Sequence, residues 1–66
     1  MKLQNRVKEI RTKRRMNQSQ LAQAAGTAQQ TISDIETGRR TPSIYTALRL
    51  AAALEVRVEK IFYLEE

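Results

Sequence analysis

Apolar residues recur at steps of three and four in five short runs, and glycine, proline or a polar cluster cuts each run off. Leu3, Val7 and Ile10 predict a first helix over about Gln4–Arg15. Asn17 is placed to cap a second, short helix carrying Leu21, Ala22 and Ala25 on one face. Gly26 ends it, as a residue that enters the left-handed region freely. A third helix is predicted over about Gln29–Glu36, with Ile32 and Ile35 as its apolar points and Gly38 closing it. Thr41-Pro42-Ser43 breaks the chain, and Ser43 can cap a fourth helix with the clearest stripe: Ile44, Ala47, Leu48, Ala51 and Leu54. Val58, Ile61 and Phe62 mark a brief fifth helix.

Five short helices on 66 residues imply an all-α bundle. One exception stays open: Leu3 near the front and Phe62 and Leu64 near the end can pair as a two-stranded ribbon. The apolar positions are expected in the core, with Tyr63 and Leu64 the open cases.

A chain of this length makes a single domain, 1–66, and buries only ~60% of its unfolded surface. There is no Cys, so neither a disulfide nor a thiolate metal site supplements the core. There is no His, which removes the commonest metal ligand and general base. A Gly-rich phosphate loop and a spaced carboxylate cluster are missing as well, so an enzyme is not expected, nor a cofactor, a metal or a small-molecule ligand. No stretch approaches the ~20 apolar residues of a membrane span. The start MKLQNRVKEIR lacks a signal peptide's apolar run, and a cytoplasmic location is expected.

The net charge is +5, and its distribution says more than its sum. Lys2, Arg6, Lys8, Arg11, Lys13, Arg14 and Arg15 precede Asn17 against Glu9 alone. Residues 18–37 carry no positive charge, only Asp34 and Glu36, and Arg39, Arg40 and Arg49 follow. The end is acidic. Two basic blocks flanking a nearly uncharged middle suit a polyanionic partner, although many solvated helix faces are also basic.

The second and third predicted helices are joined only by Gly26-Thr27-Ala28. So short a turn holds two helices at a steep angle, as in a helix-turn-helix spanning about 18–36, and a plain helical hairpin can share it. At 100° per residue, Ile32 and Ile35 point to one side of the third helix, whereas Gln29, Gln30, Ser33, Asp34 and Thr37 fan across the other. A solvated face would carry Lys and Glu. Amides and hydroxyls instead match base edges: Gln pairs with adenine N6 and N7, and Ser with several bases. Gln29, Gln30 and Ser33 are the candidate base readers, with the arginine-rich blocks as phosphate clamps. Asp34 either accepts from a cytosine N4, limits non-specific binding or simply faces solvent.

The segments NQSQLA (17–22), Gly26, QQTISDIE (29–36), Gly38, Pro42-Ser43 and ALRLAAAL (47–54) resemble the phage Cro and repressor family of helix-turn-helix domains, the XRE family. The similarity runs from about Asn5 to Phe62. It implies a five-helix, lambda-repressor-like DNA-binding domain that regulates transcription from two-fold symmetric operators. By the same resemblance Gln29, Gln30 and Ser33 fall on base-reading positions of the recognition helix. Asn17 and Gln18 fall where the second helix start holds a phosphate, and Arg39 and Arg40 on a backbone-contacting loop. Arg11 and Glu36 fall on a pair that forms a largely buried salt bridge, through which Glu36 would aim Arg11 at a phosphate.

The chain also departs from the family. Ala28 stands where Ser or Thr usually caps the recognition helix, and Thr27-Ala28-Gln29-Gln30 offers a T-x-x-Q capping box one residue earlier. Gln30 would then be partly committed to Thr27. Glu55 stands where Gly or Asn often ends the fourth helix, and Arg57 replaces a small cap before the fifth.

The expectation is a repressor that binds double-stranded DNA as a homodimer, since one recognition helix reads too few base pairs. Val58, Phe62, Tyr63 and Leu64 are its interface candidates. A protein-binding module such as an antitoxin is the alternative, disfavoured because little sequence lies outside the DNA-binding unit.

Overall fold

The computed structural model describes residues 1–66. In chain order the elements are β1 (Lys2–Asn5), α1 (Val7–Lys13), α2 (Gln18–Ala25), α3 (Gln29–Glu36), α4 (Ile44–Leu54), α5 (Val58–Ile61) and β2 (Phe62–Glu65). The two strands pair antiparallel, with Leu3 opposite Leu64 and Asn5 opposite Phe62. The five helices and the terminal ribbon are therefore both present.

The ribbon shortens the first helix from the expected Gln4–Arg15. Gln4 and Asn5 lie in the ladder, and the Arg6 backbone N–H donates to the Ile61 carbonyl at 2.8 Å, so helical pairing begins only at Val7. Asn5 then joins two elements through one amide. Its Oδ1 accepts from the Val7 N–H at 3.1 Å, and its Nδ2 donates to the Ile35 carbonyl at 3.0 Å. The start of α1 is thereby fixed to the last turn of α3.

The first four helices end in the same way. In each, two backbone N–H groups just past the helix return to carbonyls of its last turn: Arg15 and Met16 to Thr12 and Arg11, Gly26 and Thr27 to Gln23 and Ala22, Gly38 and Arg39 to Ile35 and Asp34, Glu55 and Val56 to Ala52 and Ala51. This closure needs one left-handed residue. Gly26 (φ 70°) and Gly38 (φ 82°) supply it without strain, whereas Arg15 (φ 59°) and Glu55 (φ 58°) adopt it with a Cβ.

Val7, Leu21, Ile32, Ile35, Leu50, Leu54 and Ile61 are completely buried, with Ala22, Ala25 and Ala51 filling the narrower spaces between the helices. The helix α2 packs on both α3 and α4. The stripe on α4 differs from the expected one. Its core face is Ala47, Leu50, Ala51 and Leu54, while Ile44 and Leu48 are 72% and 52% exposed. Leu48 lies roughly 110° around the helix from the centre of that face. Ile44 is in the first turn, ahead of the residues that reach the core. Leu3, expected inside, is 39% exposed on the ribbon.

Candidate nucleic-acid interface

The turn between α2 and α3 is set by its hydrogen bonds before either helix meets a ligand. Thr27 donates its backbone N–H to the Ala22 carbonyl at 2.9 Å, and Gly26 takes the left-handed conformation that makes this possible. Arg49 of α4 crosses the same corner. Its Nε donates to the Ala25 carbonyl at 2.6 Å and its Nη1 to the Tyr45 hydroxyl at 3.1 Å, and a Cβ on residue 26 would collide with the guanidinium. A cation on the end carbonyls of α2 also complements the helix dipole. Gly26 is thus required twice, by its backbone angle and by the arginine lying over it.

Beyond the turn, Ala28 occupies the cap position of α3 in extended conformation, and no side chain caps the helix. The Thr27–Gln30 box does not form. The residue at the cap is Ala28, which leaves Thr27 one position too early, and Gln30 bonds elsewhere. Its Nε2 donates to Asp34 Oδ1 at 3.0 Å, one turn further along the helix. Asp34 therefore has a partner on its own helix.

Gln29 and Gln30 are exposed and Ser33 half-buried, and together with Gln18 they line one shallow concavity. None of these four residues is charged. Thr37, which the helical wheel grouped with them, turns its hydroxyl back onto the Ser33 carbonyl at 3.0 Å.

Behind this edge lies a buried polar cluster. Arg11 Nε donates to Glu36 Oε2 at 2.7 Å and Nη2 to Oε1 at 3.2 Å, with the two side chains only 11% and 5% exposed. Arg11 Nη1 donates to the Met16 carbonyl at 2.9 Å, and Gln18 Nε2 donates to Glu36 Oε1 at 3.0 Å. All three guanidinium nitrogens are engaged within the protein, and no buried side-chain nitrogen or oxygen lacks a partner. The cluster joins α1, the start of α2 and the end of α3, so it fixes the height at which Gln18 and the outer face of α3 stand.

Asn17 caps α2 with both halves of a capping box: its Oδ1 accepts from the Gln20 N–H at 2.7 Å, and Gln20 Oε1 accepts from the Asn17 N–H at 2.8 Å. Arg39 and Arg40 are exposed on the connection from α3 to α4, and neither is in an ion pair. Their backbone N–H groups both donate to the Asp34 carbonyl, at 2.9 and 3.2 Å. The amino-terminal basic block is less free than its composition suggests. Lys13 pairs with Glu9, Arg14 with Glu55, and Arg6 stacks over the Tyr63 ring at 4.4 Å.

Sequence reasoning passed over four residues that shape this site: Asn5, Met16, Gln20 and Arg49. Only Gln20 carried a local signal, the N-x-x-Q spacing of a capping box. The other three act through contacts between residues far apart in sequence or through a backbone carbonyl.

A family model described as helix-turn-helix matches residues 7–61. The chain belongs to the helix-turn-helix family of the Cro/repressor, or XRE, type. This helix-turn-helix protein is 36% identical over 64 residues, 97% of each chain, to an uncharacterized HTH-type transcriptional regulator, YgzD, of Bacillus subtilis. It is 38% identical over 61 residues to the immunity repressor protein of Bacillus phage phi105, covering 92% of this chain and 42% of the repressor. Among solved structures, SinR of Bacillus subtilis, a master regulator for biofilm formation crystallised in complex with DNA, superimposes with a TM-score of 0.78 at 34% identity. That match covers 82% of this chain and 87% of the crystallised SinR chain. The fold is that of DNA-binding transcriptional regulators. No helix is long and apolar enough to cross a membrane.

Proposed function

We propose that this chain is a sequence-specific transcriptional repressor that binds a two-fold symmetric operator as a homodimer, with α3 in the major groove. One observation carries the reading: α3 presents an uncharged amide and hydroxyl edge (Gln29, Gln30, Ser33), and the connection that leaves the same helix exposes two arginines, Arg39 and Arg40, that are in no ion pair. Neutral donors and acceptors at the centre discriminate bases, and unpaired cations at the side hold phosphates without regard to sequence.

In this reading Gln29 is the principal reader, since its amide makes no bond within the protein, and Ser33 adds a shorter contact. Arg39 and Arg40 clamp the phosphate backbone. Asn17 and Gln18 bring the start of α2, where the capping box leaves the Gln18 and Ser19 N–H groups free, with its positive dipole end to a phosphate. Arg11, expected on a phosphate, is buried with all three guanidinium nitrogens engaged, so its part is to hold Glu36 and, through Glu36, Gln18. The protein works in the cytoplasm, on the nucleoid.

A second copy follows from the shortness of α3, whose outer face spans only a few base pairs. Leu64 is 61% exposed and Val58, Phe62 and Tyr63 are half-buried, so the end of α5 and the ribbon keep apolar surface for a partner. Selection of bound sites from random duplex DNA tests the whole reading. The expected product is an inverted repeat with half-site centres about one helical turn apart. A pool that shows no preferred sequence overturns it.

A further inference from the structure

Gln30 and Asp34 stand one turn apart on the outer face of α3, joined by the bond from Gln30 Nε2 to Asp34 Oδ1 at 3.0 Å. A carboxylate only accepts hydrogen bonds, whereas a primary amide carries a donor end and an acceptor end. The contact therefore fixes which end of the Gln30 amide faces Asp34. The nitrogen turns towards the carboxylate, and Oε1 lies on the far side of the amide with no protein donor. The Asp34 backbone is held where α3 closes, its carbonyl accepting from the Arg39 and Arg40 N–H groups, and no ion pair draws its carboxylate away from Gln30.

A glutamine free to turn over presents either end to a base. It then meets adenine N6 or cytosine N4 with its oxygen, and guanine O6 or thymine O4 with its nitrogen. The bond to Asp34 removes that freedom.

Resting on the reading of α3 as a recognition helix, we propose that Asp34 is a positioning residue that sets the base preference of Gln30. With the amide nitrogen held, Oε1 leads into the groove, and Gln30 selects a base that presents an exocyclic amine over one that presents a carbonyl. On adenine the remaining N–H can also reach N7.

The test uses the intact chain and the operator recovered by selection, with all four base pairs placed at each position in turn. Gln30→Ala identifies the position that Gln30 controls as the one whose preference it flattens. At that base pair, replacing the amine-bearing base by its analogue without the exocyclic amine (purine for adenine, 2-pyrimidinone for cytosine) is expected to weaken binding of the unaltered protein by a ratio of about tenfold or more. Asp34→Ala is expected to lower that ratio by at least about threefold at that position, with the preferences at the other positions unchanged. Asp34→Glu, which keeps the carboxylate, is expected to restore most of the ratio. In a Gln30→Ala background, Asp34→Ala should have no further effect on base preference. A merely structural or field effect of Asp34 would change affinity for all sites alike and leave the ratio standing. The proposal is overturned if removing the exocyclic amine from the Gln30-controlled pair costs the unaltered protein nothing, if Asp34→Ala leaves that ratio intact, or if the effect of Asp34→Ala persists without Gln30. Failure of the recognition-helix reading looks different: no position is then flattened by Gln30→Ala, or no sequence is preferred at all.

Discussion

Arg11 and Glu36 meet as a two-pronged pair across α1 and the end of α3, at 2.7 and 3.2 Å, almost sealed from solvent. Such a pair contributes little net stability relative to apolar residues of the same shape, but removing one partner strands the other charge. The stranded group here would be worse off than most, since Glu36 also holds Gln18 and Arg11 also holds the Met16 carbonyl. Glu36→Ala and Arg11→Ala are each expected to destabilise the fold by ~3 kcal/mol or more, measured by urea unfolding. That is a large part of the total for a chain this small. The double variant should lose clearly less than the sum of the two. Additive losses would show that the two charges act independently.

The closure of α4 can be improved. Glu55 holds φ 58° and ψ 41° with a Cβ in place, a conformation disfavoured by roughly 1 kcal/mol for an ordinary residue. Its carboxylate pairs with Arg14, but the two side chains are 73% and 40% exposed, and solvent screening leaves that contact little value. Glu55→Gly is therefore expected to stabilise the protein by roughly 0.5 kcal/mol, seen as a higher urea midpoint at unchanged slope. Gly26→Ala should do the reverse, because a methyl group there is both left-handed and pressed into the Arg49 guanidinium. A destabilised Glu55→Gly would mean that the ion pair outweighs the backbone strain.

The division between base reader and phosphate clamp predicts two different losses. Gln29→Ala should relax discrimination at one base pair per half-site by ~1–3 kcal/mol and leave the others intact. Arg40→Ala should weaken binding to all sequences alike and reduce the salt slope by about one unit per lost phosphate contact. Fluorescence titrations at two salt concentrations, on matched and mismatched operators, separate these outcomes. If the two variants behave identically, the division is wrong.

The helices were legible in the sequence because their starts and stops are local. Asn17, Gly26, Gly38 and Ser43 each act within a few residues of where they stand. Arg15 was not read as a stop, because nothing about an arginine marks a left-handed residue; the Met16 N–H returning to Arg11 requires it. The ribbon could be stated only as an alternative, since Leu3 and Leu64 meet across 61 residues and no short-range signal pairs them. The expected stripe on α4 failed for a related reason. Spacing shows which residues share a face, but Ile44 and Leu48 stay outside because no other element covers that side of the helix. At the site, the amide edge was visible as composition, whereas the partner of Gln30 was not. Thr27 and Asp34 lie at similar sequence distances from it, and the choice fell to Asp34 once Ala28 took the cap position.

Exposed apolar side chains gather in two places, the end of the ribbon at Leu3 and Leu64 and the outer side of α4 at Ile44, Tyr45 and Leu48. The proposed dimer uses the first, together with Val58, Phe62 and Tyr63. A charge at the centre of a two-fold apolar contact faces its own copy, so each substitution acts twice. Leu64→Glu is expected to shift the protein from dimer to monomer in sedimentation equilibrium and to weaken operator binding steeply, while binding to a single half-site is retained. Leu48→Glu, on the other surface, should leave the dimer in place. The reverse result would put the two-fold contact along α4, and a chain that is monomeric without substitution at all concentrations would leave DNA itself as the element that brings two copies together.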